Sequence, residues 1–270
     1  MAKNKDSMSN ILVVALSVCF ACSIVVSATA VLLKPQRIAN KDADRNKNIL
    51  QAAGLYKPGV TRGSDIDELF ASFTLRMVDL QEKRVLDDAE VEQLGFDISR
   101  YDQRKASKNP DISKDLSTAE DIASISRRAR YSVVYLLHDD AGQVDKVVVP
   151  VHGYGLWSIM YGFVSLQGDF NTVSGITFYE QGETAGLGGE VVNPVWRGSW
   201  VGKRIYGGDG DVALTVVKGR VDPTNTNAVH QIDGLSGATL TSRGVENLVG
   251  YWLGDEGFGP VLNQLQSGAI

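Results

Sequence analysis

The chain is poor in the residues that build common metal and disulfide centres. Two cysteines occur in 270 residues, Cys19 and Cys22, both inside an apolar stretch near the start. That excludes a disulfide framework and a paired CxxC zinc site. The three histidines, His138, His152 and His230, stand apart without HExxH or other paired spacing, so no metal ligand is assigned. Basic residues are in deficit: 27 Lys and Arg against 32 Asp and Glu give a formal charge of −5. A nucleic-acid partner is not expected, because phosphates reward a basic surface. No GxGxxG follows a strand pattern and opens a helix, so a doubly wound nucleotide fold is not indicated. Internal repeats and low-complexity runs are absent.

One long apolar run stands out. Residues 11–33 (ILVVALSVCFACSIVVSATAVLL) are 23 positions without a charge. As a helix they reach roughly 34 Å, enough to cross a hydrocarbon core of about 30 Å. A signal peptide has a shorter apolar region, about 7–15 residues, so an uncleaved transmembrane helix in membrane lipid is expected after a short tail over residues 1–10. Lys3 and Lys5 precede the span, and Lys34, Arg37, Lys41, Arg45 and Lys47 follow it. Read literally, the positive-inside rule keeps the following domain in the cytoplasm. The rule counts short loops, however, and 237 residues follow, so sequence physics leaves the side open. Cys19 and Cys22, three apart, share one helix face. A metal or redox pair, a lipidated cysteine and plain packing are the alternatives; packing is favoured because cysteine buries readily.

The remainder divides into a stalk and helical region over 34–115 and a second region over 116–270. Residues 38–54 are charged and helix-compatible, with Ile49, Leu50 and Ala53 as a short apolar stripe. Ser64 can cap a helix carrying Ile66, Leu69, Phe70 and Phe73. Residues 97–114 read as a polar surface excursion. Ser117-Thr-Ala-Glu120 is a capping box expected to open a helix through Ile122 and Ile125. Strands are expected over 131–138 and 144–151 as a hairpin, then over 159–166, 173–179 and 212–218. Asn193-Pro194 should start a short helix bearing Trp196 and Trp200 on one face, and helices close the chain over 245–253 and 260–265. Grouped strands followed by helices predict an α+β fold around a largely antiparallel sheet with flanking helices.

Three glycine-rich clusters interrupt this region: GYGLWS at 153–158, GETAGLGGE at 182–190 and DGLSGATLTS at 233–242. Glycine lets backbone approach a ligand closely, and a hydroxyl-rich loop entering a helix N-terminus exposes N–H groups that favour phosphate. A pocket for an aromatic, phosphorylated cofactor is one reading. Plain turns, with Thr241 or Ser242 as an ordinary cap, are the other.

The order of apolar span, GLWS-x-MYGF, GET-x-GLGGE, VVKG and DGLSGATLTS resembles the C subunit of the bacterial sodium-translocating NADH:quinone reductase. The similarity extends through YDQRKA, ARYSVVYL, PVHG, WLGD and GFGP. It implies an FMN-binding domain over 116–270, with FMN joined through its phosphate to the threonine that ends the SGAT tetrapeptide, here Thr239. A flavin transferase would recognise Asp233, Ser236, Gly237 and Ala238 around that hydroxyl. Leu187 and Gly188 would lie against the ring with Trp157 and Leu156 nearby. Glu183 and Thr184 would contact its edge, and Lys218 would approach the phosphate or the ring. The resemblance also implies an electron-carrying subunit that works with subunits A, B, D, E and F. It would stand between a membrane iron centre and the FMN of the B subunit, with its soluble domain on the periplasmic side of the inner membrane. Ala185 stands where the family usually has proline, and Arg220 where it usually has glycine. The alternatives are the flavin-bearing subunit of the ion-translocating ferredoxin:NAD reductase, which shares the span and the SGAT, and a flavin-free membrane-anchored binding or assembly protein.

Overall fold

The computed structural model describes residues 7–268; residues 1–6 of the expected tail, with Lys3 and Lys5, lie outside the described residues. The chain divides into two compact units, one ending at Asp44 and the other starting at Arg45. The first holds α1 (Met8–Leu32), whose N-cap Ser7 accepts the Asn10 N–H on its hydroxyl. None of the residues of α1 is buried. The long apolar N-terminal helix expected from the sequence is present, apolar on every side and long enough to cross a bilayer. Cys19 and Cys22 are free and exposed on it. The helix α2 (Lys34–Ala52) follows, and its last turns belong to the second unit, where Ile49, Leu50 and Ala52 are fully buried.

The second unit continues with α3 (Asp65–Phe70), β1 (Phe73–Asp79), β2 (Arg84–Val85), α4 (Asp88–Leu94), α5 (Gln103–Ala106), β3 (Ser113–Asp115) and β4 (Arg127–Ala129). Then come β5 (Tyr131–His138), β6 (Val144–Tyr154), β7 (Ile159–Gln167), β8 (Val173–Glu180), α6 (Pro194–Gly198), β9 (Thr215–Val216), β10 (Gln231–Ile232), α7 (Thr239–Leu253) and α8 (Gly259–Gln266). A six-stranded sheet of order β2-β1-β5-β6-β7-β8, antiparallel throughout, carries the fold. Both its faces are covered. Val134, Val147, Val149, Val151, Val164 and Ile176 form one core with Val245, Leu248 and Trp252 of α7. Tyr135, Val148 and Phe163 point the other way and pack with Ile49 and Leu50 of α2. Alternate residues of one strand therefore enter different cores, which is why β5 and β6 read as continuous β-branched runs rather than alternating ones.

Several elements depart from expectation. Half of the capping box at Ser117 forms: its N–H donates to the Glu120 carboxylate, but its hydroxyl donates there too and the Glu120 N–H bonds the Ser117 carbonyl, and no helix follows. Asp121 takes the N–H groups of Ile125 and Ser126 instead, and Ser124 and Ser126 sit at positive φ of 53° and 64°. A carboxylate that offers the backbone another acceptor competes with helix formation. Phe73 opens the strand β1 rather than completing a helix. The strand expected over 212–218 shrinks to Thr215–Val216, paired in parallel with Gln231–Ile232. The helix expected from residue 245 starts at Thr239. The sheet also crosses the expected boundary at residue 115, since β1 and β2 precede it and pair with each other and with β5.

The segment over 97–114 is tied down more firmly than a surface excursion. The Tyr101 hydroxyl donates to the Tyr131 carbonyl at 3.0 Å. Arg104 pairs with Glu180 at 2.7 Å and lies 4.3 Å over the ring of Tyr161. Tyr161 stacks on His152, its partner in register, and His152 meets Trp252 of α7 with ring centroids 4.7 Å apart. The Trp252 indole N–H donates to the His152 carbonyl. His152 is only 8% exposed, and burial, with Arg104 nearby, pushes its pKa from 6.5 down to about 4. The folded chain therefore holds it neutral where the unfolded chain protonates it. Its contribution to stability is full above pH 6.5 and is lost as pH falls through about 4. Urea unfolding of His152→Gln across this window is expected to lack about 3 kcal/mol of the acid-side loss shown by the unaltered chain.

Candidate functional site

The three glycine-rich clusters meet beyond one end of the sheet. β6 and β7 form a hairpin whose last pair is Tyr154 with Ile159, so residues 155–158 are its connection. Glu180 at the end of β8 pairs with Tyr161 near the start of β7, so the chain leaving β8 passes beside that connection. Glu183 lies there, 8% exposed. Its carboxylate accepts the N–H groups of Leu156, Trp157 and Ser158 at 3.0–3.2 Å. It also accepts the Thr241 hydroxyl, from the first turns of α7, at 2.7 Å. Burial alone would raise the Glu183 carboxyl; the Thr241 hydroxyl and the three N–H donors outweigh it and hold the pKa below the ordinary value.

The closeness of the loops explains their glycines. A Cβ on Gly155 would stand 2.6 Å from Glu183 Oε1, and one on Gly188 would stand 2.5 Å from Thr241 Oγ1 and 2.9 Å from Glu183 Oε2. Gly237 adopts φ +71°, and a Cβ there would press on Leu187 at 3.0 Å. Leu187 thus lies against the SGAT loop, 43% exposed, with Trp157 (66%) and Leu156 (36%) also open to solvent. Thr184 is exposed, and its carbonyl accepts the N–H groups of Leu187 and Gly189.

The hydroxyls near the start of α7 have different fates. Thr241 and Ser242 are buried, the first bound to Glu183 and the second accepting the Leu235 N–H at 3.0 Å. Thr239 is exposed. The N-cap residue is Ala238, which has no capping side chain, and the first helical bond runs from Ser242 N–H to the Ala238 carbonyl. The leading N–H groups of a 15-residue helix are therefore uncapped beside an accessible hydroxyl, an arrangement that favours phosphate.

Asp233 accepts the Val221 N–H on its carboxylate at 2.8 Å, while its carbonyl accepts the Trp196 indole N–H. Ser236 and Gly237 are exposed and Ala238 is buried. Lys218 is exposed in the bend just beyond β9, and this segment flanks the loop: Val217 N–H donates to the Ile232 carbonyl and Gly234 N–H to the Gly219 carbonyl. Sequence reasoning missed three features. Thr241 donates to Glu183 rather than serving as an ordinary cap, and Glu183 has its oxygens filled by loop N–H groups and that hydroxyl rather than left open for a ring edge. It also missed Arg243, exposed one turn beyond Thr239. The i,i+4 spacing that places the pair on one face was there to read.

Residues 155–254 match the family model described as FMN-binding domain. Along the whole chain, 49% identity over 266 residues relates it to the C subunit of the Na(+)-translocating NADH-quinone reductase of Pseudomonas aeruginosa, covering 98% of each. This chain belongs to the family of C subunits of that oxidoreductase. The corresponding subunit of Pasteurella multocida is 48% identical, with 100% of this chain and 99% of the relative covered. Among solved structures, NqrC of Shewanella oneidensis superposes with a TM-score of 0.74 at 36% identity, covering 85% of this chain and 99% of that one. The C subunit of Parabacteroides distasonis gives 0.62 at 25% identity, covering 85% and 96%. The antiparallel sheet with flanking helices is thus the NqrC fold, and the matched FMN-binding stretch contains all three glycine-rich clusters apart from the first two residues of the earliest.

The crowding at Gly188 has a measurable consequence. Gly188→Ala forces apart the Glu183–Thr241 contact and is expected to cost about 2 kcal/mol in urea unfolding. Gly63→Ala, where an added carbon meets nothing within 4 Å, is expected to stay within about 0.5 kcal/mol.

Proposed function

We propose that the chain is the electron-carrying flavoprotein subunit of a Na+-translocating NADH:quinone reductase, with FMN attached through its phosphate to Thr239. The observation that carries this reading is the contrast within one turn of α7: Thr239 exposed, Thr241 and Ser242 buried and engaged. The residues fit the group. Uncapped N–H groups suit a phosphate diester, Gly237 leaves the approach narrow and unhindered, and Leu187, Leu156 and Trp157 offer apolar surface for a flat ring.

In attachment, the Thr239 hydroxyl oxygen forms the new bond to phosphorus. The pyrophosphate bond of FAD breaks, AMP leaves, and the hydroxyl proton is released. A separate flavin transferase performs this step, recognising Asp233, Ser236, Gly237 and Ala238. When bound, FMN supplies the redox chemistry; the protein's part is to hold, orient and shield. Leu187 and Gly188 back the ring, Leu156 and Trp157 flank it, and Thr184 provides a polar edge. Lys218 and Arg243 offset negative charge at the phosphate. No general acid or nucleophilic triad is needed.

By membership of the family, subunits A, B, D, E and F are the partners, and electrons pass between a membrane iron centre and the FMN of the B subunit. The α1 span anchors the chain in the inner membrane with the flavin domain on the periplasmic side. Relatives that carry the quinone reductase name at 43–49% identity favour that reading over the alternative as a subunit of a ferredoxin:NAD reductase.

The test is direct. The denatured full chain, co-expressed with the flavin transferase, is expected to fluoresce as a flavin band on a gel under ultraviolet light. Thr239→Ala is expected to abolish the band completely. A dark unaltered chain made with active transferase would favour the flavin-free binding or assembly protein.

A further inference from the structure

We infer that Glu183 and Thr241 form the positioning device of the flavin site: their hydrogen bond pins the start of α7 so that Thr239 faces outward, and the same carboxylate sets residues 156–158 against the attached ring. The inference rests on the attachment reading above and adds residues that do not themselves touch the cofactor.

Helix geometry supplies the first part. Successive residues turn by about 100°, so positions 239 and 241 point roughly 200° apart. Fixing the 241 side chain inward therefore fixes the 239 side chain outward. A threonine in a helix usually has a nearer acceptor in the carbonyl one turn before it. Here the Thr241 hydroxyl crosses instead to Glu183, 58 positions away in sequence, at 2.7 Å.

The second part follows from the other donors on that carboxylate. Leu156, Trp157 and Ser158 aim three consecutive N–H groups at it, and the Ser158 hydroxyl in turn accepts the Gly182 N–H at 2.7 Å. None of these donors belongs to the central strands. They lie on the connection after β6, on the chain leaving β8 and on the first turn of α7 that also carries Thr239, so what the carboxylate organises is the site rather than the sheet. Three N–H groups in a row can be satisfied this way only by an anion or a bound acceptor at their focus, and Glu183 provides it from within the protein.

The experiment uses the full chain in detergent after co-expression with the flavin transferase. Visible circular dichroism of the flavin and its midpoint potential are read per mole of covalent flavin, the latter counted by absorbance after denaturation. Thr241→Val, which keeps shape but loses the hydroxyl, and Glu183→Gln are expected to lose most of the flavin dichroism. Both should shift the potential toward that of free FMN. Thr241→Ser, which restores the hydroxyl, is expected to keep both properties. A Thr241→Val chain with unchanged dichroism and potential, or a Thr241→Ser chain as impaired as Thr241→Val, overturns the inference. Hydrogen exchange on the unaltered chain gives a test independent of any variant's folding. The amides of Leu156, Trp157 and Ser158 should be protected, and exchange at open-loop rates overturns the inference. If the unaltered chain carries no covalent flavin, the attachment reading falls and this inference with it; failure in the variants alone leaves the attachment standing.

Discussion

One buried carboxylate organises the functional end of this molecule. Removing Glu183 from water carries a desolvation cost that a protein meets only with converging donors, and those donors come from the β6–β7 connection and the first turn of α7. For them to converge, the loops must come within hydrogen-bond distance of each other, which leaves no room for side chains at positions 155 and 188. The glycines are thus a consequence of the contact as much as of any ligand. The same contact buries Thr241 and leaves Thr239 exposed at the start of α7, so the attachment point we propose agrees with the packing.

The sheet makes that contact possible. The β6–β7 hairpin and the antiparallel return of β8 bring residues 155–158 and 183 to the same end. α7 is held across β6, where Gly244 lets it approach: a Cβ there would stand 2.4 Å from the Tyr154 carbonyl. Because both faces of the sheet are covered, by α7 and α8 on one side and by the end of α2 on the other, the strands have little freedom to shift register. A site formed by loops gains its precision from a rigid support.

Much of this was legible in the residues. The long β-branched runs at 131–138 and 144–151 could only be strands, and a charge-free run of 23 residues could only be a long apolar helix. The SGAT tetrapeptide pointed by resemblance to Thr239, the position at which we propose attachment. What sequence could not show were contacts between distant segments. The Glu183–Thr241 pair has no local signature, and its meaning appears only once β8 and α7 are side by side. The strand β1 was hidden because Phe73 also fits a helical spacing with Phe70 and Leu69, and pairing with β5 decides the matter. At Ser117 the local signal was real but was outweighed by Asp121, whose carboxylate captures the backbone into turns.

Peptide mapping by mass spectrometry of the natively assembled chain tests the central claim most directly. Cleavage after Arg220 and Arg243 isolates residues 221–243, which contain Ser236, Thr239, Thr241 and Ser242 together. This peptide is expected to carry the mass of FMN less water, with fragmentation placing it on Thr239. An unmodified peptide, or a flavin placed on Thr241 or Ser242, would contradict that assignment.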